Sequence, residues 1–128
     1  MILADTSVLI RHFRSYTDSR QRLIETIDPA VCGLTVAEFG AGARTPSQVV
    51  SCAAILAFFQ RIPIAESVWE AAGCNQARLA SSGLIVPLPD TLIATVAIDA
   101  GLELWTYDTH FAAMAALLSG LRLFHEPP

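Results

Sequence analysis

Residues 88–106 read LPDTLIATVAIDAGLELWT, and this stretch predicts a helix, a turn and a strand in succession. Pro89 and Asp90 are typical of a first helical turn, and Gly101 is typical of the residue that closes a helix. LELWT at 102–106 is then a short apolar segment of the kind found in buried strands. An apolar helix that leads directly into such a strand is typical of a parallel sheet covered by helices.

Apolar strand-like segments and helical segments alternate along the rest of the chain. The further predicted strands are MILA at 1–4, AVCGL at 30–34, IPI at 62–64 (a strand or a turn) and LRLF at 121–124. The further predicted helices are VLIRHF at 8–13 capped by Thr6 or Ser7, residues 18–27, a helix that holds VAEFGAGA and is capped by Thr35, and residues 47–62, 65–83 and 111–120. This order predicts an α/β fold, a three-layer α/β/α sandwich with a central parallel sheet, in a single domain of residues 1–128.

The composition narrows the class of protein. No window reaches the roughly 18 continuous apolar residues of a membrane span, and the three cysteines, which form no CxxC pair, are expected to be free thiols of a cytoplasmic protein. A net charge of −4 argues weakly against a protein that binds nucleic acid through bulk charge alone. All eight basic residues are arginine. Four of them, which predict either a solvated helix face or a rim that contacts phosphate, are Arg11, Arg14, Arg20 and Arg22.

Four acidic residues lie where an α/β fold gathers its functional groups. Asp5 and Asp108 follow predicted strands, whereas Glu38 and Asp90 lie near the starts of predicted helices. In parallel sheets, ligands bind at the carboxyl ends of the strands. We therefore expect the four carboxyl groups to meet at one edge of the sheet, although each also has a purely structural interpretation.

Those structural interpretations are local. Asp5 can be a helix cap, Asp90 can favour the dipole of its helix, and Asp108 can be a turn residue. Glu38 can be the capping-box partner of Thr35, because three residues separate them. Four acids at one predicted edge are less readily explained in this way, since gathered carboxylates repel one another unless they hold a cation.

Carboxylates without nearby histidine or cysteine ligands suit Mg²⁺ or Mn²⁺. Such an ion lowers the pKa of its bound water, which can then attack a phosphodiester. Other phosphate chemistries fit less well, because the chain has no GxxxxGK[ST] loop, no lysine, no GxSxG elbow, and Ser7 where a haloacid-dehalogenase-like phosphatase has a second aspartate. The histidines are scattered, and His12 is expected to be a partly exposed helix residue.

Several segments together resemble one family, the PIN-domain ribonucleases, and most closely the VapC toxins of bacterial toxin–antitoxin pairs. The segments are MILADTSVLI, TVAEFGAGAR, LPDTLIATVAIDAGLELWTYDTHF and the closing GLRLF. They cover nearly the whole chain in the same order. Each would be weak alone, but their combination is specific.

The resemblance implies a site and a function. It implies that Asp5, Glu38, Asp90 and Asp108 bind Mg²⁺ or Mn²⁺, and that Thr106 and either Thr6 or Ser7 are the hydroxyl groups beside the metal. It further implies an α/β/α sandwich, an endoribonuclease, a homodimer and a VapB-like antitoxin whose C-terminal segment enters the active groove. The apolar helix from Val49 to Phe59 could contribute to such surfaces, although ordinary core is favoured.

The last motif departs from many relatives, which have a basic residue after its threonine or its aspartate. This chain has Tyr107 and Thr109 there, so contacts to the RNA backbone are expected from Arg11, Arg14 or Arg78. Three alternatives stay open: a PIN-like module that only binds a partner, a housekeeping nuclease, and a different acid-based phosphatase or DNA-directed nuclease.

Overall fold

A computed structural model describes all 128 residues as a four-stranded sheet with seven helices around it. In chain order the elements are β1 (Ile2–Ala4), α1 (Thr6–Arg14), α2 (Asp18–Ile27), β2 (Ala30–Cys32), α3 (Gly33–Ala41), α4 (Pro46–Leu56), β3 (Gln60–Ile62), α5 (Glu66–Ser81), α6 (Leu88–Ala100), β4 (Glu103–Trp105) and α7 (His110–Leu117). None of these helices combines the length and the hydropathy that crossing a bilayer requires.

The sheet is parallel throughout, and its strand order is β3-β2-β1-β4. Connections after β1 move the chain outward on one side to β2 and β3, whereas β4 pairs with β1 on the other side. The strand order therefore reverses between β1 and β4, and such a switch point opens a crevice at the carboxyl ends of the two strands. The sequence-based prediction of a parallel α/β sheet is confirmed.

Side chains that alternate along the strands build a separate core on each face of the sheet. Leu3 points to one face, where it packs with apolar residues of α5, α6 and α7. Ile2 and Ala4 point to the other face, where they pack with apolar residues of α1, α2, α3 and α4. Because successive side chains of a strand lie on opposite faces, three-residue strands suffice to join two helical layers. The predicted three-layer arrangement is confirmed.

The predicted helix at 47–62 is too long. Helix α4 ends at Leu56, and the chain turns so that Gln60 begins β3 and donates its backbone N–H to the Pro29 carbonyl at 3.0 Å. An apolar segment such as 47–62 suits either a helix or a strand. Here its last three residues form a strand because they pair with the free edge of β2. The segment at 62–64, predicted as a strand or a turn, overlaps β3 only at Ile62.

The predicted strand LRLF makes only one bridge, between Leu123 and Leu104. The backbone N–H of Leu104 donates to Arg122 at 2.8 Å, and that of Phe124 donates to Leu104 at 2.8 Å. β4 is only three residues long, so it has little free edge for a further strand. This terminal segment packs instead through Phe124, whose ring centroid lies 5.6 Å from that of Trp105.

Candidate functional site

Asp5 is the buried acid of the crevice between β1 and β4. It directly follows β1, and its backbone N–H donates to the carbonyl of Trp105 in β4 at 3.0 Å. One carboxylate oxygen, Oδ1, accepts from the backbone N–H of Ser7 at 2.9 Å and from its hydroxyl at 2.5 Å. The other, Oδ2, accepts from the Thr106 hydroxyl at 2.6 Å. Asp5 is therefore the N-cap of α1, as its structural interpretation predicted, and also lies at the switch point of the sheet.

Burial is the main influence on this carboxyl group. Only 5% of Asp5 is exposed, and burial raises the pKa of its carboxyl above the ordinary value, while the hydrogen bonds from Ser7 and Thr106 lower it. A raised pKa means that the folded protein disfavours the charged form of this group. A cation beside Asp5 would remove that penalty.

Two hydroxyl groups connect Asp5 to the loop that carries Asp108. The Ser7 hydroxyl accepts from the backbone N–H of Tyr107 at 2.9 Å, and the Thr106 hydroxyl accepts from the backbone N–H of Asp108 at 3.0 Å. Each hydroxyl thus donates to Asp5 and accepts from the loop after β4. These hydrogen bonds fix the position of the loop relative to Asp5, although about a hundred residues of sequence separate the two. They can form because β1 and β4 are neighbouring strands.

Asp90 enters the same crevice from the first turn of α6. Its helix begins at Leu88, and α6 is held against α5 by Gln76, whose side chain accepts from the Thr91 hydroxyl and donates to the Val86 carbonyl at 2.8 Å. Burial raises the pKa of the Asp90 carboxyl, His110 opposes this rise, and the negative charges of Asp108 and Asp5 add to it. Asp108 and Asp5 therefore both lie near enough to Asp90 for their charges to act on its carboxyl group.

His110 joins Asp90 and Asp108. Its Nε2 atom lies 2.8 Å from Oδ2 of Asp90 and 2.9 Å from Oδ2 of Asp108. All three side chains are part-buried, and one ligand atom from each lies within 4.8 Å of the others, close enough to hold a metal ion together. The histidine is the first residue of α7, so the starts of two helices meet here.

Glu38 is linked by hydrogen bond to the start of α1 and not directly to the other three acids. The prediction that Thr35 caps its helix is wrong, because the N-cap of α3 is Cys32, three residues earlier, and Thr35 is buried inside the helix. Glu38 is therefore in the second turn of α3, is exposed, and accepts from the Thr6 hydroxyl at 2.9 Å. No contact joins Glu38 directly to Asp5, Asp90 or Asp108. The two predicted hydroxyl candidates thus contact different acids, Thr6 with Glu38 and Ser7 with Asp5.

The predicted arginines divide into two groups. Arg11 lies over the ring of Tyr107, with its guanidinium carbon 3.7 Å from the ring centroid. Arg14 lines a cleft of about 110 Å³ that has Glu38 in its wall. Neither makes an ion pair with an acid, so both charges are available beside the crevice. Arg78 lies in the last turn of α5 and is exposed, without a side-chain contact to any of the four acids.

The departure at position 107 has a structural consequence. The Tyr107 hydroxyl accepts from the Arg20 guanidinium and donates to Glu126 at 2.8 Å, and Arg20 lies 3.8 Å from that glutamate. Tyr107 therefore collects two guanidinium groups, Arg11 on its face and Arg20 at its hydroxyl. Glu126 offsets the charge of Arg20, so Arg11 is the unpaired cation beside this position.

Sequence reasoning missed His110 and misjudged His12. The signal for His110 was its position two residues after Asp108, at the start of a helix. His12 is buried rather than partly exposed, and its Nε2 lies 2.8 Å from the side-chain oxygen of Gln21. Its place on the buried face of an amphipathic α1 was the available signal.

The donor set fits a divalent cation. Removal from water raises the pKa of the buried Asp5 and of the part-buried Asp90, and a single imidazole is the shared partner of Asp90 and Asp108. A bound cation stabilises carboxylates whose charged form is otherwise disfavoured. Asp5, Asp90, Asp108 and His110 are the side chains that could hold it, and Glu38 lies at the side of α3.

Known structures share this fold over almost the full chain. A chain of VapBC2 from Rickettsia felis, bound to a promoter DNA fragment, superposes with a TM-score of 0.82 at 23% identity, covering 97% of this chain and 98% of that one. FitAcB from Neisseria gonorrhoeae gives a TM-score of 0.75 at 22% identity, with 98% and 97% covered. VapBC-5 from Mycobacterium tuberculosis, a toxin–antitoxin system, gives 0.70 at 25% identity, with 97% of each chain covered.

Sequence comparison agrees with the structural likeness. No curated protein sequence matches the chain significantly. The family profile of the PIN domain matches residues 2–117, which include all four acids and every strand of the sheet. This chain therefore belongs to the PIN-domain family.

Proposed function

We propose that this protein is an endoribonuclease that depends on Mg²⁺ or Mn²⁺, and that it is the toxin of a toxin–antitoxin pair. PIN domains are nucleases, which supports hydrolysis of nucleic acid. The observation that carries the proposal is that three acids are linked beside the switch point between β1 and β4. Thr106 joins Asp5 to the backbone of Asp108, and His110 joins Asp108 to Asp90. Asp90 and Asp108 share a single imidazole as their partner, and a cation beside them would favour the charged forms of Asp90 and of the buried Asp5.

Each residue has a separate role in the proposed reaction. Asp5, Asp90 and Asp108 hold the cation, and Glu38 contributes from the side of α3. The bound metal would supply an activated water for attack on the phosphodiester. Thr106 fixes Asp5 relative to Asp108 through its two hydrogen bonds, and Thr6 orients Glu38.

The RNA backbone would lie along Arg11 and Arg14. Arg11 stacks on Tyr107, the neighbour of Thr106, and this contact keeps the guanidinium group of Arg11 at the rim of the crevice. Arg14 lines the same cleft as Glu38. Arg78 has no contact that fixes it toward the crevice. We expect Arg11→Gln to raise KM more than it lowers kcat, whereas Arg78→Gln changes both little. An equal effect of the two substitutions would contradict this assignment.

The partner would be a VapB-like antitoxin, and the toxin itself would be a homodimer. Several structures with this fold are complexes of toxin–antitoxin pairs. The cleft beside Glu38 has apolar walls from Ile10, Phe13 and Phe39, with Arg14 at its side. Such a cleft suits an amphipathic peptide segment of the antitoxin that carries both an apolar and a charged side chain.

Direct cleavage assays test the enzymatic part of the proposal. Purified protein and an unstructured RNA are incubated with Mg²⁺, with Mn²⁺ and with a chelator. Asp90→Asn should abolish cleavage, and Asp99→Asn is the matched control, since Asp99 is exposed near the other end of α6. RNA that stays intact with either metal would favour the partner-binding module. Cleavage of DNA but not of RNA would favour a DNA-directed nuclease.

Expression in bacteria tests the toxin role. The parent should arrest growth, the Asp90→Asn protein should not, and co-expression of the product of the neighbouring gene should restore growth. A protein that cleaves RNA in the test tube but leaves growth unchanged would instead be a housekeeping nuclease. Size measurement by light scattering then tests the homodimer independently.

A further inference from the structure

We propose that His110 is a nitrogen ligand of the metal site and that it makes the site favour Mn²⁺ over Mg²⁺. This inference rests on the proposed function, because it concerns the same site and asks which ion occupies it. It departs from the sequence-based expectation, which described a site of oxygen ligands only.

The position of the imidazole matches that of a ligand. Two adjacent ligand atoms that are each about 2.1 Å from an octahedral ion lie about 3.0 Å apart. Nε2 of His110 lies 2.8 Å from the Asp90 oxygen and 2.9 Å from the Asp108 oxygen. Two of the three spacings thus match adjacent positions of a coordination shell, the ligand atoms of all three residues lie within 4.8 Å of one another, and small movements would admit an ion.

The hydrogen-bond inventory supports the same conclusion. Nε2 carries at most one hydrogen, yet it lies within hydrogen-bond distance of two carboxylate oxygens. One hydrogen cannot serve both oxygens well, whereas one metal ion can bind all three atoms. The other ring nitrogen has no protein partner, so nothing else in the chain requires this ring orientation.

The identity of the donor decides the ion. Mg²⁺ is bound almost entirely through oxygen and keeps several waters. Imidazole nitrogen suits transition ions, and affinity for such a site rises from Mn²⁺ toward the later metals of the row. A site with one imidazole and two or three carboxylates should therefore discriminate against Mg²⁺ more strongly than an all-oxygen site does.

Pulsed electron paramagnetic resonance of bound Mn²⁺ tests the inference without reference to activity. The parent should show ¹⁴N modulation from one imidazole. His110→Asn should lose that modulation and bind Mn²⁺ at least about tenfold more weakly, as even ligand-supporting residues cause losses of this size, with a smaller change for Mg²⁺. His110→Asp, which restores an oxygen ligand, should bind both ions without ¹⁴N modulation. His125→Asn, an exposed histidine outside the crevice, is the control and should behave as the parent.

The outcomes separate this inference from the proposed function. Mn²⁺ bound to the parent without ¹⁴N modulation overturns the role of His110 and leaves the nuclease proposal standing. Tighter binding of both ions by His110→Asn also overturns it, because His110 is then a counter-ion that occupies the site. A parent that binds neither ion and cleaves no RNA overturns the proposed function itself. Circular dichroism of each variant confirms that it is folded.

Discussion

The crevice has two halves that hold their carboxyl groups in different ways. In the first half, Asp5 accepts from the backbone and hydroxyl of Ser7 and from the hydroxyl of Thr106. In the second half, Asp90 and Asp108 share a single imidazole, that of His110. In the first half, the chain supplies hydrogen-bond donors to both oxygens of the carboxyl group. In the second half, two carboxyl groups share one partner.

This difference indicates which half adapts when a cation binds. Asp5 is buried at the end of β1 and its position follows from the sheet, so it forms a fixed wall. Asp90 and Asp108 come from a helix start and a loop, and both are part-buried. Asp90 and Asp108 would therefore be the groups that adjust to a bound cation, whereas Asp5 would keep its position. The predictions below separate the two halves, from the largest expected effect to the smallest.

The largest effect is expected from removal of one negative charge in either half. Asp5→Asn and Asp90→Asn should each lower RNA cleavage by about a hundredfold or more, because the metal contributes several kcal/mol to the transition state. Stability should change little, since asparagine can still cap α1 and since loss of the charge at Asp90 relieves repulsion with Asp108. Cleavage rates and thermal melting measure the two effects. Cleavage by either variant at the parental rate would exclude the metal-site assignment.

The next effect concerns the hydroxyl that joins the halves. Thr106→Val keeps the shape of the side chain but removes the donor to Asp5 and the acceptor for the Asp108 N–H. We expect a loss of about 1–3 kcal/mol in the free energy of unfolding, because a buried acceptor loses its partner. Cleavage should fall about tenfold or more, as with other residues that orient metal ligands.

A control shows whether that loss reflects orientation. Thr106→Ser keeps the hydroxyl and should recover most of the activity of the parent. If Thr106→Val retains full cleavage while it is destabilised, the hydroxyl is structural only and the two halves are independent.

The sequence predicted the fold well because the fold depends on local pattern and on general rules of topology. Short apolar runs alternate with helical segments along most of the sequence, and parallel pairing follows from that order. The boundary between α4 and β3 could not be predicted, because the segment 47–62 suits either structure until β2 offers it an edge. The start of α3 was misplaced because Thr35 looked like a cap but is buried.

The candidate site was predictable only where it follows strand ends. Asp5 and Asp108 follow β1 and β4, so the parallel sheet itself brings them to one edge. His110 was missed because its role depends on where the starts of α6 and α7 meet, and no local pattern encodes that meeting. The assignment of the four acids to a metal is a prediction, which the substitutions at Asp5, Asp90 and Glu38 test for three of them.

A smaller effect is expected at Glu38, which belongs to neither half. Thr6→Val removes the hydroxyl that contacts Glu38. Because Glu38 is exposed and can sample other rotamers, we expect cleavage to fall by severalfold only, with no measurable change in melting temperature. Glu38→Gln should lower cleavage more than Thr6→Val does. If Glu38→Gln is fully active, the glutamate lies outside the catalytic site and three carboxylates suffice.

The smallest expected effect concerns the stability of the fold at acidic pH. It separates the contribution of His12 from that of the carboxyl groups in the crevice. Burial lowers the pKa of His12, and the positive charge of Arg20 adds to this. Protonation therefore favours the unfolded chain, so the contribution of His12 to stability is complete above the ordinary histidine pKa of about 6.5 and declines as the pH falls below it. Urea unfolding between about pH 7 and pH 5 should show this decline in the parent.

His12→Gln removes the titrating group and keeps a polar side chain toward Gln21. It should be less stable than the parent near neutral pH by about 1 kcal/mol, because the replacement bond is less well placed, and this difference should shrink as the pH falls. The carboxyl groups of the crevice are present in both proteins, so their contributions cancel in the comparison. His125→Gln, which alters an exposed histidine, should follow the parent at every pH. A difference between parent and His12→Gln that stays constant with pH would assign the acid sensitivity to the acids of the crevice instead.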